Sequence, residues 1–261
     1  MKDWRDFWNR LAEAFGWLMV MVLVALLWIL AVTTLQAQSV PLVRVPHDAF
    51  VCYYDIQTHN PSLVCYVLEH RHFSGSNKVK GRHFKSDTKL PRPRVKDGDY
   101  TNTGFVRGHL CSAGDRDSDK AWLKETYLTS NLVPMTMVCN SGAWKVIEDS
   151  CRLLASQGHR LQICRGPLYD RYRHDQDLCN TSQVRITIPV GFFSFARCLD
   201  CSLVYCRTCY NSSSQGLEGV IRTARNDVTQ SLRYYRDPRV SQLLTNILGV
   251  WSLEEYETIT R

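Results

Sequence analysis

The chain has 261 residues, 44% of them hydrophobic and 22% charged, and a formal net charge of +7. That composition excludes bulk disorder and leaves room for one membrane segment plus one domain of ordinary size, or two small ones. Lys2, Arg5 and Arg10 cancel Asp3, Asp6 and Glu13, so the positive excess lies beyond residue 37. There it suits a polyanion such as nucleic acid or anionic lipid, and equally an ordinary mildly basic domain.

Residues 1–16 read as a short amphipathic helix with Trp4, Phe7, Trp8, Leu11 and Phe15 on one side. Trp17 to Leu35 carries no charge and is long enough to span hydrocarbon, so 17–37 is a transmembrane anchor or a signal peptide. The run exceeds the usual signal core, which favours the anchor. Three cations before it and only Arg44 soon after it place the N-terminus in the cytoplasm and the domain outside, or secreted if the segment is cleaved. Eleven cysteines, all between Cys52 and Cys209, agree with a disulfide-permitting compartment, and their odd number leaves one thiol free or paired between chains. A homodimer stays open.

Residues 38–48 contain Pro41 and Pro46 and read as a linker, with one domain over 49–261. Phe50–Ile56 and Ser62–Leu68 form a predicted hairpin about His59-Asn60-Pro61. Residues 74–103 read as a long basic loop carrying Lys78, Lys80, Arg82, Lys85, Lys89, Arg92 and Arg94. Trp144, Ile147, Cys151 and Leu154 recur at helical spacing within a predicted helix, 144–155. Leu161–Cys164, Val184–Ile188, Phe192–Arg197 and Leu203–Tyr210 read as strands, and 217–234 and 241–248 as helices. Interspersed strands and helices point to an α+β fold on an antiparallel sheet.

Two elements carry candidate chemistry. In Arg107-Gly108-His109 the glycine permits close approach, the arginine can grip a phosphate, and the histidine can serve as a general base. Asn140 and Glu148 offer a carboxamide oxygen and a carboxylate, donors suited to a hard cation such as Mg²⁺ or Mn²⁺. A capping Asn140 and a surface Glu148–Arg152 pair is the plainer alternative.

Taken together, these elements resemble the DNA/RNA non-specific endonucleases, the ββα-metal (His-Me finger) nucleases related to mitochondrial endonuclease G. The resemblance runs from about Phe50 to Asn211. Beyond the two elements it includes Leu110, Asp115, Glu125-Thr126-Tyr127-Leu128, Asn131 with Pro134, Trp144, Gly166-Pro167, and Ile188-Pro189 ahead of Phe192-Phe193. It implies an enzyme hydrolysing DNA and RNA through backbone contacts, leaving 5′-phosphorylated ends. His109 would be the general base, Asn140 the direct Mg²⁺ ligand and Glu148 a carboxylate orienting water around the ion. Arg107, and Arg152 as a second candidate, would neutralise phosphate, and Asn131 would position the His109 loop. Val106, where the family usually has Asp, and Met135, where it has Gln, depart from the pattern. They leave open a non-catalytic, membrane-tethered binding relative, beside a cysteine-rich structural ectodomain and a phosphodiesterase for lipid or small phosphate esters.

Cys198-x-x-Cys201 and Cys206-x-x-Cys209 could hold Zn²⁺ or form disulfides. Asn180 and Asn211 begin N-glycosylation acceptor triplets if the domain is luminal in a eukaryote.

Overall fold

The structure is a computed structural model that describes residues 2–36, 42–79, 84–169, 176–178, 184–212 and 222–223. It divides into two units, 1–40 and 41–261. The first unit is one continuous helix, α1 (Lys2–Gln36). The amphipathic and apolar stretches are therefore not separate elements. A single glycine, Gly16, costs a helix only about 1 kcal/mol, too little to break it. Phe7–Trp28 is long and apolar enough to cross a membrane.

The second unit is built on a seven-stranded sheet, all neighbours antiparallel, in the order β1-β2-β3-β6-β7-β8-β9. The strands are β1 (Val43–Pro46), β2 (Val51–Asp55), β3 (Asn60–Leu68), β6 (Leu161–Leu168), β7 (Gly191–Cys198), β8 (Val204–Tyr210) and β9 (Arg222–Thr223). The predicted hairpin is present as β2–β3. Residues 43–46, read as linker, instead form the edge strand; Val45, in register with Cys52, is buried there. Val184–Ile188 contributes only an isolated bridge from Thr187 to Asp177, while Val184 and Ile186 pack with Val95, Tyr100 and Leu178. The predicted helices at 217–234 and 241–248 fall outside the described residues, except that 222–223 pair with β8 as a strand.

Alternation along β3 sends Val64, Tyr66 and Leu68 to one face and Leu63 and Cys65 to the other. The first face meets α4 (Ala143–Ser156), whose Trp144, Ile147, Cys151 and Ala155 are buried, with Trp144 against Phe192. On the second face a disulfide joins Cys65 to Cys164, partners across β3 and β6. Cys52, Cys111 and Cys151 are buried thiols that fill core space, so the cysteine load is in good part packing.

Between β3 and β6 the chain inserts a second layer. β4 (Val106–His109) pairs antiparallel with β5 (Leu132–Met135), and two helices follow, α3 (Met137–Ser141) and α4. Between the paired strands lies α2 (Lys120–Glu125), capped by Asp119. Two strands and a helix on an antiparallel sheet give the ββα arrangement.

Candidate active site

On β4 the side chains of Arg107 and His109 share one face and Gly108 takes the other. A Cβ on Gly108 would lie 2.6 Å from the Met135 methyl, so the glycine lets β5 close over the strand. The His109 ring sits between Phe84 and Tyr127, at centroid separations of 5.7 and 5.2 Å. Its Nε2 is buried and has no hydrogen-bond partner among the described residues. Burial lowers its pKa to about 4, which keeps the imidazole neutral at physiological pH.

The backbone around His109 is held from three sides. The Trp144 indole donates to the His109 carbonyl at 2.9 Å, tying α4 to β4. Leu110 N–H donates to the Asn131 carbonyl, and Asn131 Oδ1 accepts from Cys111 N–H at 2.7 Å. Asn131 Nδ2 donates to the carbonyls of Cys111 and Thr126, so this wholly buried side chain locks the loop that leaves His109.

Arg107 is stacked near the rings of Phe84 and Tyr100. Its Nε lies 2.5 Å from Asp97 Oδ1 and its Nη2 donates to the Asp97 carbonyl. Asp97 therefore takes one edge of the guanidinium. Arg152 is more fully committed: Nη1 meets Asp115 and Nη2 meets Asp149, each at 2.6 Å. It braces the site, and its charge is already shared between two carboxylates.

Asn140 does not lie on α4. Gly142, at φ −105° and ψ −107°, separates the two helices and is the residue that caps α4. The capping role considered for Asn140 thus belongs to Gly142. Asn140 is partly exposed near the end of α3, where its backbone N–H donates to the Thr136 carbonyl at 2.9 Å. The start of α3 is fixed by Thr136, whose N–H donates to Asn211 Oδ1 and whose hydroxyl donates to the Ser212 carbonyl. Asn211 Nδ2 donates in turn to the carbonyls of Pro134 and Pro189. The nitrogen that would carry a glycan is thereby engaged inside the fold. Asn180 lies outside the described residues.

Glu148 reaches the His109 loop through Ser112, whose hydroxyl donates to its carboxylate at 3.1 Å, with Arg152 3.9 Å away. Its pKa is pushed up to about 7. Burial is the main cause, the Asp115 charge adds to it, and Arg165 and Arg152 oppose it. The amide oxygen of Asn140 and the carboxylate of Glu148 are hard donors of the kind that suit a small divalent cation such as Mg²⁺.

Beneath these groups lies a buried cluster that sequence reading missed. Asp115 is fully buried and accepts from the Tyr66 hydroxyl at 2.6 Å as well as from Arg152. Arg165, also fully buried, lies 3.6 Å from Asp115 and donates to Tyr66 Oη, Ser194 Oγ and the Leu110 carbonyl. The available signal was Arg165 itself, a charge inside an apolar strand, which burial permits only with partners.

The four paired cysteines do not assemble. Cys206 is in register with Phe195 and Cys209 with Phe192, three and six rungs from Cys198 along β7. At about 3.3 Å per residue that separates Cys198 from them by about 10 and 20 Å. Cys209 lies instead against Cys139, with sulfurs 3.7 Å apart.

The basic stretch 74–103 is not a free arm. Leu90, Val95 and Tyr100 enter the core, Lys89 donates to the Pro46 carbonyl and Arg94 to the Leu90 carbonyl. Lys80 and Arg82 lie outside the described residues.

An antiparallel sheet bearing a ββα insertion, with a histidine on its first inserted strand and hard oxygen donors on its helices, defines the ββα-metal class. Residues 33–231 match the family described as DNA/RNA non-specific endonuclease, and the chain belongs to that family. A nuclease of Nostoc sp. is 29% identical over 151 residues, 57% of this chain and 48% of that protein. Mitochondrial nuclease EXOG of Xenopus laevis is 32% identical over 116 residues, 44% of this chain and 32% of that protein. Human mitochondrial endonuclease G is 27% identical over 123 residues, 47% of this chain and 41% of that protein. The chain thus spans about half or less of these relatives. A chain of the crystal structure of the EndoG/EndoGI complex has the same fold, with a TM-score of 0.59 at 21% identity over 72% of this chain and 82% of that one.

Proposed function

We propose that this protein is a divalent-metal-dependent nuclease that cleaves phosphodiester bonds in DNA and RNA with little sequence preference. The observation that carries the reading is a neutral His109, its buried Nε2 without a partner among the described residues, on a strand braced by Trp144 and Asn131. Such an imidazole is a general base poised to take a proton from attacking water at Nε2. Phe84 and Tyr127 orient the ring and exclude bulk solvent from its faces. Arg107 offers phosphate the guanidinium edge not taken by Asp97. Asn140 would hold Mg²⁺ directly, and Glu148, once ionised, would orient water around it. When bound, the ion supplies charge stabilisation for the phosphate and the leaving 3′-oxygen. Contacts to the backbone and not to base edges make substrate choice broad.

The apolar helix 7–28 and the Cys65–Cys164 disulfide support a membrane-anchored or secreted protein with its domain on the extracytoplasmic side. The test is plasmid nicking by the full chain. Chelator should abolish it, and His109→Ala should reduce it at least 100-fold while leaving the thermal transition in place. Undiminished cleavage by folded His109→Ala protein removes the base assignment. Wild-type protein inert with every divalent ion supports the binding-only relative.

A further inference from the structure

We propose that His159, Cys198 and Cys201 form a zinc site, separate from the hydrolytic centre, that staples the α4–β6 turn to the β7–β8 hairpin. His159 Nδ1 lies 3.7 Å from Cys198 Sγ and 3.7 Å from Cys201 Sγ. All three donor atoms fall within 4.8 Å of one another. With Zn–S about 2.3 Å and Zn–N about 2.0–2.1 Å, the edges of a tetrahedron are about 3.5–3.6 Å for nitrogen–sulfur and about 3.8 Å for sulfur–sulfur. The two nitrogen–sulfur separations, 3.7 Å each, lie within about 0.2 Å of a zinc tetrahedron's edge.

The backbone holds these donors independently of any ion. Gly158, at φ +97°, ends α4 and turns the chain so that His159 precedes β6. Leu199 N–H donates to the Arg160 carbonyl at 2.8 Å, and Cys198 N–H donates to the Leu203 carbonyl at 2.9 Å. The Arg160 guanidinium pairs with Asp200 and with Glu69, closing the turn over the hairpin. The ligands are therefore arranged before metal arrives.

The donor set selects the metal. Two sulfurs and an imidazole suit borderline-soft Zn²⁺, whereas the oxygen donors near His109 suit Mg²⁺. Binding removes one proton from each thiol, and two thiolates neutralise the 2+ charge. Cys198 is buried and Cys201 exposed, so water can fill the fourth position from the solvent side. Cys206 and Cys209 take no part, as the strand register requires.

The competing fate is a Cys198–Cys201 disulfide. It would form with loss of two protons and two electrons to a disulfide oxidant such as oxidised glutathione. The experiment measures zinc per chain by elemental mass spectrometry on the full-length protein in detergent, after incubation with ZnCl₂ and desalting. The expected result is one zinc per wild-type chain, one in Cys206→Ser, and at least a tenfold loss in Cys201→Ser and in His159→Gln. Cobalt loading of the wild type should give the absorption of tetrahedral thiolate ligation, absent from Cys201→Ser. Zinc-free wild type, wild-type stoichiometry in either ligand variant, or a tryptic peptide containing the Cys198–Cys201 disulfide overturns the proposal. Mg²⁺-supported nicking is assayed on the same samples, so an empty zinc site and an inert nuclease are distinguishable results.

Discussion

The indole of Trp144 donates to the main-chain oxygen of His109 across 2.9 Å, so the helix bearing Glu148 and the strand bearing the imidazole share one hydrogen bond. Trp144→Phe keeps most of the ring volume against Phe192 and deletes that bond. A net loss of about 1 kcal/mol is expected. For a domain of this size, that lowers Tm by about 2–4 °C. Trp144 is buried and presents no surface to a substrate, so kcat for nicking should fall several-fold with KM unchanged. Wild-type kcat in the variant, measured alongside its Tm, would show that the bond braces the fold without setting the imidazole.

Asn131 is a more demanding case. Its carboxamide satisfies the Cys111 N–H and the Cys111 and Thr126 carbonyls at once. Asn131→Ala orphans all three, at about 1 kcal/mol or more each. Urea unfolding should shift by about 3 kcal/mol in total. Asn131→Asp should be no better, since a carboxylate faces two carbonyl oxygens. A variant within 1 kcal/mol of wild type would mean that water replaces the side chain.

What could be read from the sequence follows from how local the physics is. The α4 helix was legible because Trp144, Ile147 and Cys151 repeat at its own period, and the β2–β3 hairpin because its turn and both strands lie within 20 residues. The Arg107-Gly108-His109 step was legible as a combination of residue types, read as a turn at the end of a loop, whereas the structure places it on strand β4. Three features were hidden because they depend on partners distant in sequence. β3 pairs with β6 across more than 90 intervening residues. Arg165, Asp115 and Tyr66 meet from three separate segments. Asn211 spends its amide on residues 22 and 77 positions away. The cysteine motif misled because its spacing suggested one cluster, whereas strand register sends Cys206 and Cys209 elsewhere.

Gly108 and Met135 provide a test of packing at the ββα hairpin. A Cβ at 108 would meet Met135 Cε at 2.6 Å and Cβ at 2.7 Å. The first is the mobile end of a side chain and the second is not, so the methionine cannot simply rotate away. Gly108→Ala should cost about 1–3 kcal/mol by overpacking. Met135→Ala should also destabilise, through the cavity it leaves. Met135→Ala removes the Cε contact and keeps the Cβ contact at 2.7 Å, so the double variant should recover only part of the overpacking cost, about 1 kcal/mol or less relative to the sum of the two. Strict additivity in urea melts would mean that β5 shifts as a unit instead.

Glu148 gives the clearest dependence on pH. Burial pushes its carboxyl up to about 7, against about 4.3–4.5 in an unfolded chain. A raised acid pKa means that folding favours the protonated form. Its contribution to stability is therefore complete below the unfolded value and is lost as pH rises through 7. Glu148→Gln resembles the protonated state at every pH. The two proteins should melt together near pH 4, and the glutamine variant should be the more stable at pH 8, by up to about 3 kcal/mol. His109 titrates identically in both, so it cancels from the difference. Mg²⁺ at pH 8 should close the gap by raising the wild type more than the variant, because only the wild type can place a full negative charge near the ion. A Tm difference that stays constant from pH 5 to 8 would show that Glu148 is already ionised throughout, held by Arg152 and Ser112 instead of suppressed by burial.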